Sequence, residues 1–385
     1  MVIRGMDMIL KEFMSPPQKY GEVSFFWWHG DKITKEKLHW ILEQLKEKGI
    51  AGLQLNYCHS DKGGQQYGLT MDSDPRPFSD EWWELLGWLM EECKKYDMSI
   101  SLSDYTLGAP GQGSYMDAVL DKHPEFIGQK LEWKDGAVHI VKVPFSANPM
   151  AKGIGKAVAD EFYGAFERHF PGECGKHINF FFSDELNFNI RGNLWSDDFK
   201  EEFLKRKGYD ITEKWEALFR DTGEETPKIR LDYYDVIVQL SEEEYFRPVY
   251  EWHESRGMTF GCDHGGRGQD VTEFGDYFRT MKWNQGPGND QPHLASNIIK
   301  SKVSSSIAHL YQRPRVWLEG FYSSGWQTSG ADVADAVFRN FGLGHNLLSL
   351  HGLYYSTHGS MWEWAPPCNH YHMPYWSQMG TLLEC

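Results

Sequence analysis

The sequence predicts a (β/α)8 barrel, and three observations carry that prediction. Apolar, strand-like runs alternate with amphipathic helical segments along most of the 385 residues, which is the pattern of a parallel sheet with crossover helices. Eight of these runs qualify as strands. The glycine-rich turn that an open nucleotide-binding sheet requires is missing, because "GAPGQG" at 108–113 lacks the spacing and does not open a helix. We therefore expect one barrel domain over residues 1–385.

The strands and their boundaries follow from apolar runs that end at turn residues. The expected strands are residues 23–30, 49–57, 98–105, 178–186, 258–264, 281–286, 315–322 and 346–356. Thr34 and Ser79 are expected to cap the first two helices. Residues 106–150 interrupt the alternation, and they predict an insertion after strand three with a hairpin that turns at Asp135-Gly136. The terminal "MPYWSQMGTLLEC" is typical of an eighth helix that has just begun, which predicts a truncated C-terminus.

Composition and charge limit the kinds of partner that the protein can bind. A net charge of −16 argues against nucleic acid and against anionic lipid as partners, because both need a basic face. No run approaches the roughly 20 apolar residues of a membrane span. The six cysteines form no CxxC pair, which favours reduced thiols in a cytoplasmic protein. Aromatic residues make up 15% of the chain, with 16 Trp, and flat indole faces favour a carbohydrate partner.

Polar or ionisable residues follow nearly every expected strand. In an α/β barrel the carboxyl ends of the strands surround the active site, and a purely structural barrel has no reason to repeat this pattern. The strand ends supply His29, Asn56, Asp104, Asp184, Glu185, Asp263, His264, Gln285, Glu319 and His351.

Glu185 and Glu319 are the candidate catalytic residues. They close strands four and seven, and glycoside hydrolysis needs one carboxyl group as acid and a second as nucleophile or base. A structural interpretation stays open, in which Glu185 caps a helix and Glu319 pairs with a nearby arginine. The pattern of two glutamates at matching strand ends favours catalysis.

The remaining candidates are expected to bind substrate. Hydrogen bonds to sugar hydroxyls are expected from His29, Asn56, Asp104, Asp184, Asp263, His264, Gln285 and His351, and stacking from Trp326, Trp362 and Trp364. The two tryptophans at 362 and 364 belong to "SMWEWAPPCNH", a polar, proline-rich loop after strand eight in which indole rings have little core to join.

Several segments resemble a known family. "SFFWWHGDKITKEKLHWILEQLKEKGIAGLQLNY", "FFSDELNF", "SSSIAHLYQRPRVWLEGFYSSGW" and "FRNFGLGHNLLSLHGLYYSTHG" resemble the catalytic barrel of family-106 glycoside hydrolases, the α-L-rhamnosidase-type enzymes. The resemblance covers about residues 25–375. It implies inversion, with Glu185 as general acid and Glu319 as general base, and a calcium ion near the sugar, although the calcium ligands cannot be matched residue by residue. Family members are usually longer, with β-sandwich modules that this sequence lacks.

Three alternatives stay open from the sequence. The strand-four and strand-seven glutamates equally resemble retaining barrel glycosidases, in which Glu319 would be the nucleophile. The chain could also be a sugar-binding barrel or fragment without catalysis. A metal-dependent hydrolase ranks lower, because the HxH pair of such barrels is missing from "WWHGD" after strand one.

Overall fold

The protein is a (β/α)8 barrel with an antiparallel sheet added to one side. The computed structural model describes residues 10–14, 16–28, 31–57, 74–104, 114–188, 190, 192–358 and 365–384. The strands are Val23–Trp28 (β1), Gly52–Tyr57 (β2), Ser99–Leu102 (β3), Ile127–Lys134 (β4), Ala137–Ala147 (β5), Ile178–Leu186 (β6), Asn193–Trp195 (β7), Phe260–His264 (β8), Gly288–Gln291 (β9), Trp317–Gly320 (β10) and Leu347–Tyr354 (β11).

Helices follow the barrel strands and cover the outside of the sheet. They are Lys35–Glu47 (α1), Asp80–Lys95 (α2), Ser114–Lys122 (α3), Ile154–Val158 (α4), Gly164–His169 (α5), Phe199–Lys207 (α6), Thr226–Ser241 (α7), Arg247–Glu254 (α8), Tyr277–Met281 (α9), Ile298–Leu310 (α10), Gly330–Gly342 (α11) and Met379–Glu384 (α12). Single π-helical segments, Ala159–Tyr163 and Glu242–Phe246, join α4 to α5 and α7 to α8. The predicted caps are confirmed, because Thr34 Oγ1 accepts from Lys37 N and Ser79 Oγ accepts from Trp82 N, each at 3.3 Å.

The barrel sheet runs in the order β8-β6-β3-β2-β1-β11-β10-β9. Neighbouring strands in this order pair in parallel. The two end strands approach each other, since the backbone N–H groups of Gln285 and Gly286, just before β9, donate to Phe260 O of β8 at 2.9 and 3.0 Å. All eight carboxyl ends therefore meet at one mouth.

One predicted strand is wrong. Residues 281–286 were expected to form strand six, but they are the end of α9 and the loop beyond it, and the strand is Gly288–Gln291. A side chain at position 288 would collide with the ring of Trp317, since a Cβ there would lie 2.1 Å from Cδ2. A short, glycine-led strand with polar residues has no apolar run by which sequence could find it.

The inside and the outside of the barrel hold separate apolar clusters. Inside, Phe25, Trp27, Phe182, Trp317 and Tyr354 pack together with Val23, Phe181 and Leu347. The neighbouring Trp28 faces the helical layer instead, as the period-2 alternation of a strand requires. The inner aromatic cluster fills the barrel below its mouth.

The insertion after strand three forms the predicted hairpin. Strands β4 and β5 pair antiparallel, and Asp135 and Gly136 at their turn have φ angles of 53° and 78°, as a two-residue type I′ turn requires. Strand β7 adds to the hairpin on the β4 side. Leu131 and Trp195 of this sheet pack with Phe199 and Tyr233 of α6 and α7, forming a second apolar core.

Substitution of Gly288 tests how tightly the barrel interior is packed. We expect Gly288→Ala to lower the free energy of unfolding by about 1–3 kcal/mol, because the new methyl group overpacks against Trp317. The measurement is chemical denaturation. Gly342→Ala is the control, since a Cβ at this helix end meets no atom within 4 Å and should leave stability unchanged or slightly raised. Equal stability of the two variants would contradict the packing described here.

A buried glutamate predicts how stability depends on pH. Glu22, 3% exposed, accepts from Ser24 Oγ at 2.6 Å and from Leu350 N at 2.9 Å. Burial raises the pKa of its carboxyl to about 8, above the value in an unfolded chain, so the stabilisation is complete at low pH and is lost as pH rises toward 8. We expect Glu22→Gln to lose less stability than the parent protein between pH 5 and pH 9. Parallel stability–pH curves would refute this.

Candidate active site

The end of β6 brings Asp184 and Glu185 to the mouth. The pairing of β6 with β8 shifts register twice, between Phe180 and Ser183 and between Ser183 and Leu186, and such bulges re-aim side chains at the rims of barrels. Glu185 has a left-handed φ of 53°. Its backbone N–H donates to Asp263 Oδ1 at 2.8 Å. The bulges and this hydrogen bond let two consecutive carboxylates serve one site.

Strand β8 places only one of its two polar end residues inside. Asp263 is fully buried and meets the β6 residues. His264 points to the helical layer, where its Nε2 lies 2.8 Å from Thr280 Oγ1 and its ring packs against Phe246 and Tyr277. Burial lowers the pKa of this imidazole to about 3. His264 is therefore a structural residue of the helical layer and lies apart from the mouth.

Strand β9 contributes a carboxylate that the sequence analysis missed. Asp290 is 1% exposed, and its Oδ1 lies 2.7 Å from Lys300 Nζ on α10. It follows Gly288 by two residues, so both face the barrel interior. The signal that could have found it is the polar "GNDQ" between Pro287 and Pro292.

Arg267 joins these carboxylates. Its Nη2 donates to Glu185 Oε1, and its Nε lies 2.6 Å from Asp290 Oδ1 and 3.4 Å from Asp263 Oδ2. The loop that carries it is held by Glu273, whose two carboxylate oxygens accept from Gly266 N at 3.1 and 3.0 Å. Arg267 was also missed, although it stands in the glycine-rich "DHGGRG" directly after β8.

Glu319 closes β10 and faces the interior, two residues beyond Trp317. It is 4% exposed, and its Oε1 lies 3.9 Å from His351 Nε2. That nitrogen accepts a hydrogen bond from Trp27 Nε1 at 3.0 Å. Because an indole N–H can only donate, the neutral His351 ring carries its proton on Nδ1, and burial lowers its pKa to about 3.

The site gathers five carboxyl groups around two cations. Its ionisable groups are the carboxylates Asp184, Glu185, Asp263, Asp290 and Glu319 and the cations Arg267 and Lys300. Burial raises the pKa of Asp184 well above its usual range, and the charge of Glu319 adds to this. Burial and the charge of Asp290 also raise the pKa of Glu319 well above its usual range. The positive charge of Arg267 lowers the pKa of Asp184 and of Glu319 and so opposes both shifts. Burial raises the pKa of Asp263 to about 7. Carboxyl groups here therefore retain protons near neutral pH.

The other predicted binding residues divide between the two faces of the sheet. Asn56 lies inside and donates to Gln54 O at 3.1 Å. Asp104 points to the helical layer, where Tyr163 donates to its Oδ2 at 2.7 Å and burial raises its pKa to about 6. Gln285 is tied to α8 through Tyr250 O and Glu254 Oε2, at 3.2 and 3.1 Å. Asp104 and Gln285 therefore lie away from the mouth, and so does His264.

The aromatic candidates are only partly described. Trp326 follows β10, and its ring lies 5.1 Å from that of His370. His29, Trp362 and Trp364 fall outside the described residues, so their roles remain predictions from the sequence.

The described residues do not fit the calcium ion that the sequence resemblance implies. Among them no group of three or more His, Cys, Asp or Glu side chains is arranged to hold a metal. The guanidinium of Arg267 lies among Glu185, Asp263 and Asp290, where a dication would need the same oxygens. We therefore assign no metal to this set of residues.

Among the described residues no helix has both the length and the apolar composition to cross a membrane.

Comparison with known proteins supports the fold. Neither a family model nor a curated protein matches the chain. Among solved structures, the rhamnosidase from Novosphingobium sp. PP1Y is similar, with a TM-score of 0.65 and 11% identity over 97% of this chain and 60% of that one. The β-galactosidase from Halorubrum lacusprofundi gives a TM-score of 0.57 and 12% identity, and the match covers 94% of this chain and 58% of that one. The β-amylase catalytic domain from Paenibacillus polymyxa gives a TM-score of 0.52 and 13% identity, and the match covers 86% of this chain and 92% of that one.

The chain thus spans about three fifths of the length of the rhamnosidase and of the β-galactosidase. At such identities the similarity concerns the barrel itself.

Removal of Arg267 should show that it compensates the buried carboxylates. We expect Arg267→Met to cost about 3–5 kcal/mol of unfolding free energy near pH 7, because it leaves Glu185, Asp263 and Asp290 without their shared cation. The loss should shrink at pH 5, since the carboxyl groups whose pKa is raised bind protons there. Arg247→Met, at an exposed ion pair of 4.0 Å with Glu251, is the control. A loss that is independent of pH would contradict the assignment.

Proposed function

We propose that the protein is a glycoside hydrolase that uses Glu185 and Glu319 as its carboxyl pair. The observation that carries the proposal is the position of both groups: they end β6 and β10, the fourth and seventh strands of the barrel, and both interact with Arg267 and its carboxylate partners. Two carboxyl groups at one barrel mouth are what acid-assisted cleavage of a glycosidic bond requires.

The charge of the site suits this chemistry. Glycoside cleavage passes through a transition state like an oxocarbenium ion, with positive charge at the anomeric carbon. Five carboxyl groups share the site with Arg267 and Lys300, and a carboxylate fixed in a buried site stabilises a positive charge that develops beside it. Glu185 is the more exposed of the pair, with a third of its side chain accessible. Following the resemblance to family-106 enzymes, we assign Glu185 the proton transfer to the leaving oxygen and Glu319 the activation of water. These roles require Glu319 to lose its proton although burial raises its pKa, and Glu185 to take one up beside Arg267.

Polar atoms inside the mouth are available for sugar hydroxyls. Among the described residues, no hydrogen-bond partner reaches Asn56 Oδ1, Asp184 Oδ1, Ser349 Oγ or His351 Nδ1. Buried polar groups ordinarily have partners, so these four atoms supply donors and acceptors to a polyhydroxylated ring. The aromatic residues of the inner cluster form the floor beneath them.

We propose an α-L-rhamnoside as the substrate class, carried by a small oligosaccharide or plant glycoside. The proposal rests on the sequence resemblance to family-106 enzymes and is supported by the similarity of the barrel to a rhamnosidase. We further propose that the enzyme acts in the cytoplasm, because the described cysteines Cys93, Cys174, Cys262 and Cys368 are buried free thiols.

Activity assays test the carboxyl pair. With 4-nitrophenyl α-L-rhamnopyranoside we expect turnover, and we expect Glu185→Gln and Glu319→Gln each to lower kcat by about 10³-fold or more. Glu251→Gln, at a surface carboxylate, is the matched control and should retain full activity. Proton NMR of the first-formed sugar should show an inverted anomeric centre. A folded protein that binds rhamnosides without cleaving any glycoside tested would overturn the proposal in favour of a sugar-binding barrel.

The role of Glu185 is tested by leaving-group dependence. An aryl leaving group of low pKa departs without a proton, so Glu185→Gln should lose far less activity on 2,4-dinitrophenyl than on alkyl glycosides. Asp184 is the competing acid, because burial and Glu319 favour its protonated form by raising its pKa. If Asp184→Asn shows this leaving-group dependence and Glu185→Gln does not, the acid is Asp184.

A further inference from the structure

A second cavity lies at the opposite end of the barrel. It has a volume of about 610 Å³, within the range of small-molecule sites, and it opens at the amino-terminal ends of the strands. Its floor includes Ser99 of β3, Asn179 of β6 and Thr259, which precedes β8. The apolar cluster around Phe182 and Trp317 separates it from the carboxylates at the mouth. The cavity is therefore not the base of the candidate active site.

The rim of this cavity is basic in a chain whose net charge is −16. The basic side chains of its lining are Lys19, Lys94, Lys176, His177 and Arg315, and Asp97 is the one carboxylate of the lining.

Part of that positive charge is already neutralised. Lys94 Nζ lies 3.0 Å from Glu173 Oε1, and His177 Nδ1 lies 2.6 Å from Glu173 Oε2. Within the described residues no carboxylate lies within ion-pair distance of Lys19, Lys176 or Arg315. Three cations therefore face one carboxylate, Asp97.

Arg315 is oriented by the backbone. Its Nη1 donates to Asn346 O at 3.0 Å, and its Nη2 donates to Lys19 O at 2.9 Å. Its guanidinium lies 4.8 Å from the ring centre of Tyr20. Burial lowers the pKa of this arginine. A guanidinium held by neutral carbonyls keeps its full positive charge beside the cavity.

The floor supplies further donors. Ser101 Oγ accepts from Phe181 N at 3.1 Å, which leaves its O–H to donate, and Asn179 Oδ1 accepts from Thr259 N at 2.9 Å, which leaves its NH₂ group to donate. A pocket with hydroxyl and amide donors below and unpaired cations at its rim matches a group with several acceptor oxygens and negative charge.

We propose that this cavity binds a phosphate-type oxyanion, either as the free ion or as the phosphoryl group of a small metabolite. Lys176, Lys19 and Arg315 compensate the charge, and Ser101 and Asn179 donate to the oxygens. The site is independent of the proposed glycosidase activity, because it uses other residues at the other end of the barrel.

Titration calorimetry at low salt tests the proposal with inorganic phosphate, glucose 6-phosphate and glucose. We expect saturable binding of at least one phosphate compound with a Kd of about 1 mM or tighter, and no binding of glucose at that site. Tighter binding of inorganic phosphate assigns the site to the free ion, and tighter binding of glucose 6-phosphate assigns it to a phosphorylated metabolite. Binding of glucose as strong as that of its phosphate, or binding of neither phosphate compound, would overturn the proposal.

Variants locate the binding. Lys176→Gln and Arg315→Gln should each weaken it about tenfold, the effect of losing a charge-assisted hydrogen bond. Lys302→Gln, at an exposed lysine of α10, is the matched control and should bind as the parent does. Lys176 is itself exposed, so its variant remains informative if Arg315→Gln unfolds. Equal affinity of the Lys176 and Lys302 variants would refute this location.

Discussion

The contact of Arg267 with Glu185, Asp263 and Asp290 is the interaction on which the mouth of the barrel depends. Carboxylates drawn from β6, β8 and β9 converge there, and buried like charges repel strongly in a medium of low polarity. A guanidinium offers five donors in one plane and stays charged when buried. It can therefore bind several carboxylates at once. Burial first, and neighbouring carboxylates after it, raise the pKa of Asp184, Asp263 and Glu319, and Arg267 opposes these shifts.

The interior of the barrel has an apolar middle that lies below the charged groups of the mouth. Aromatic side chains such as Phe182 and Trp317 fill the middle, where Gly288 leaves room for the indole. The buried carboxylates lie at the carboxyl ends of the strands, together with Arg267, and the side chains that line the cavity at the amino ends are mostly basic. The apolar filling contributes burial energy and separates the two ends. The two proposed sites therefore use separate sets of residues.

The sequence analysis found the strands that contain long apolar runs and missed the one that does not. β9 is a glycine followed by three polar residues, so Asp290 could not be placed by periodicity. The sequence analysis also placed two adjacent residues, Asp263 and His264, in the binding site. Adjacent residues cannot both face inward on a regular strand, and in the structure His264 faces the helices. The consecutive Asp184 and Glu185 escape this limit through bulges and a left-handed φ. Neither feature can be predicted from residue types alone.

The sequence by itself determined the barrel class, the hairpin at Asp135-Gly136 and the placement of Asp184, Glu185 and Glu319 at strand ends, because these depend on local periodicity and turn chemistry. Tertiary structure alone decided which polar residues meet. Arg267 and Asp290 are 23 residues apart in the chain and touch only because β8 and β9 close the barrel. Asp104 lies at a strand end like the others, yet it turns outward to Tyr163. Long-range pairing and the face of each strand are properties of the closed sheet, and no local pattern contains them.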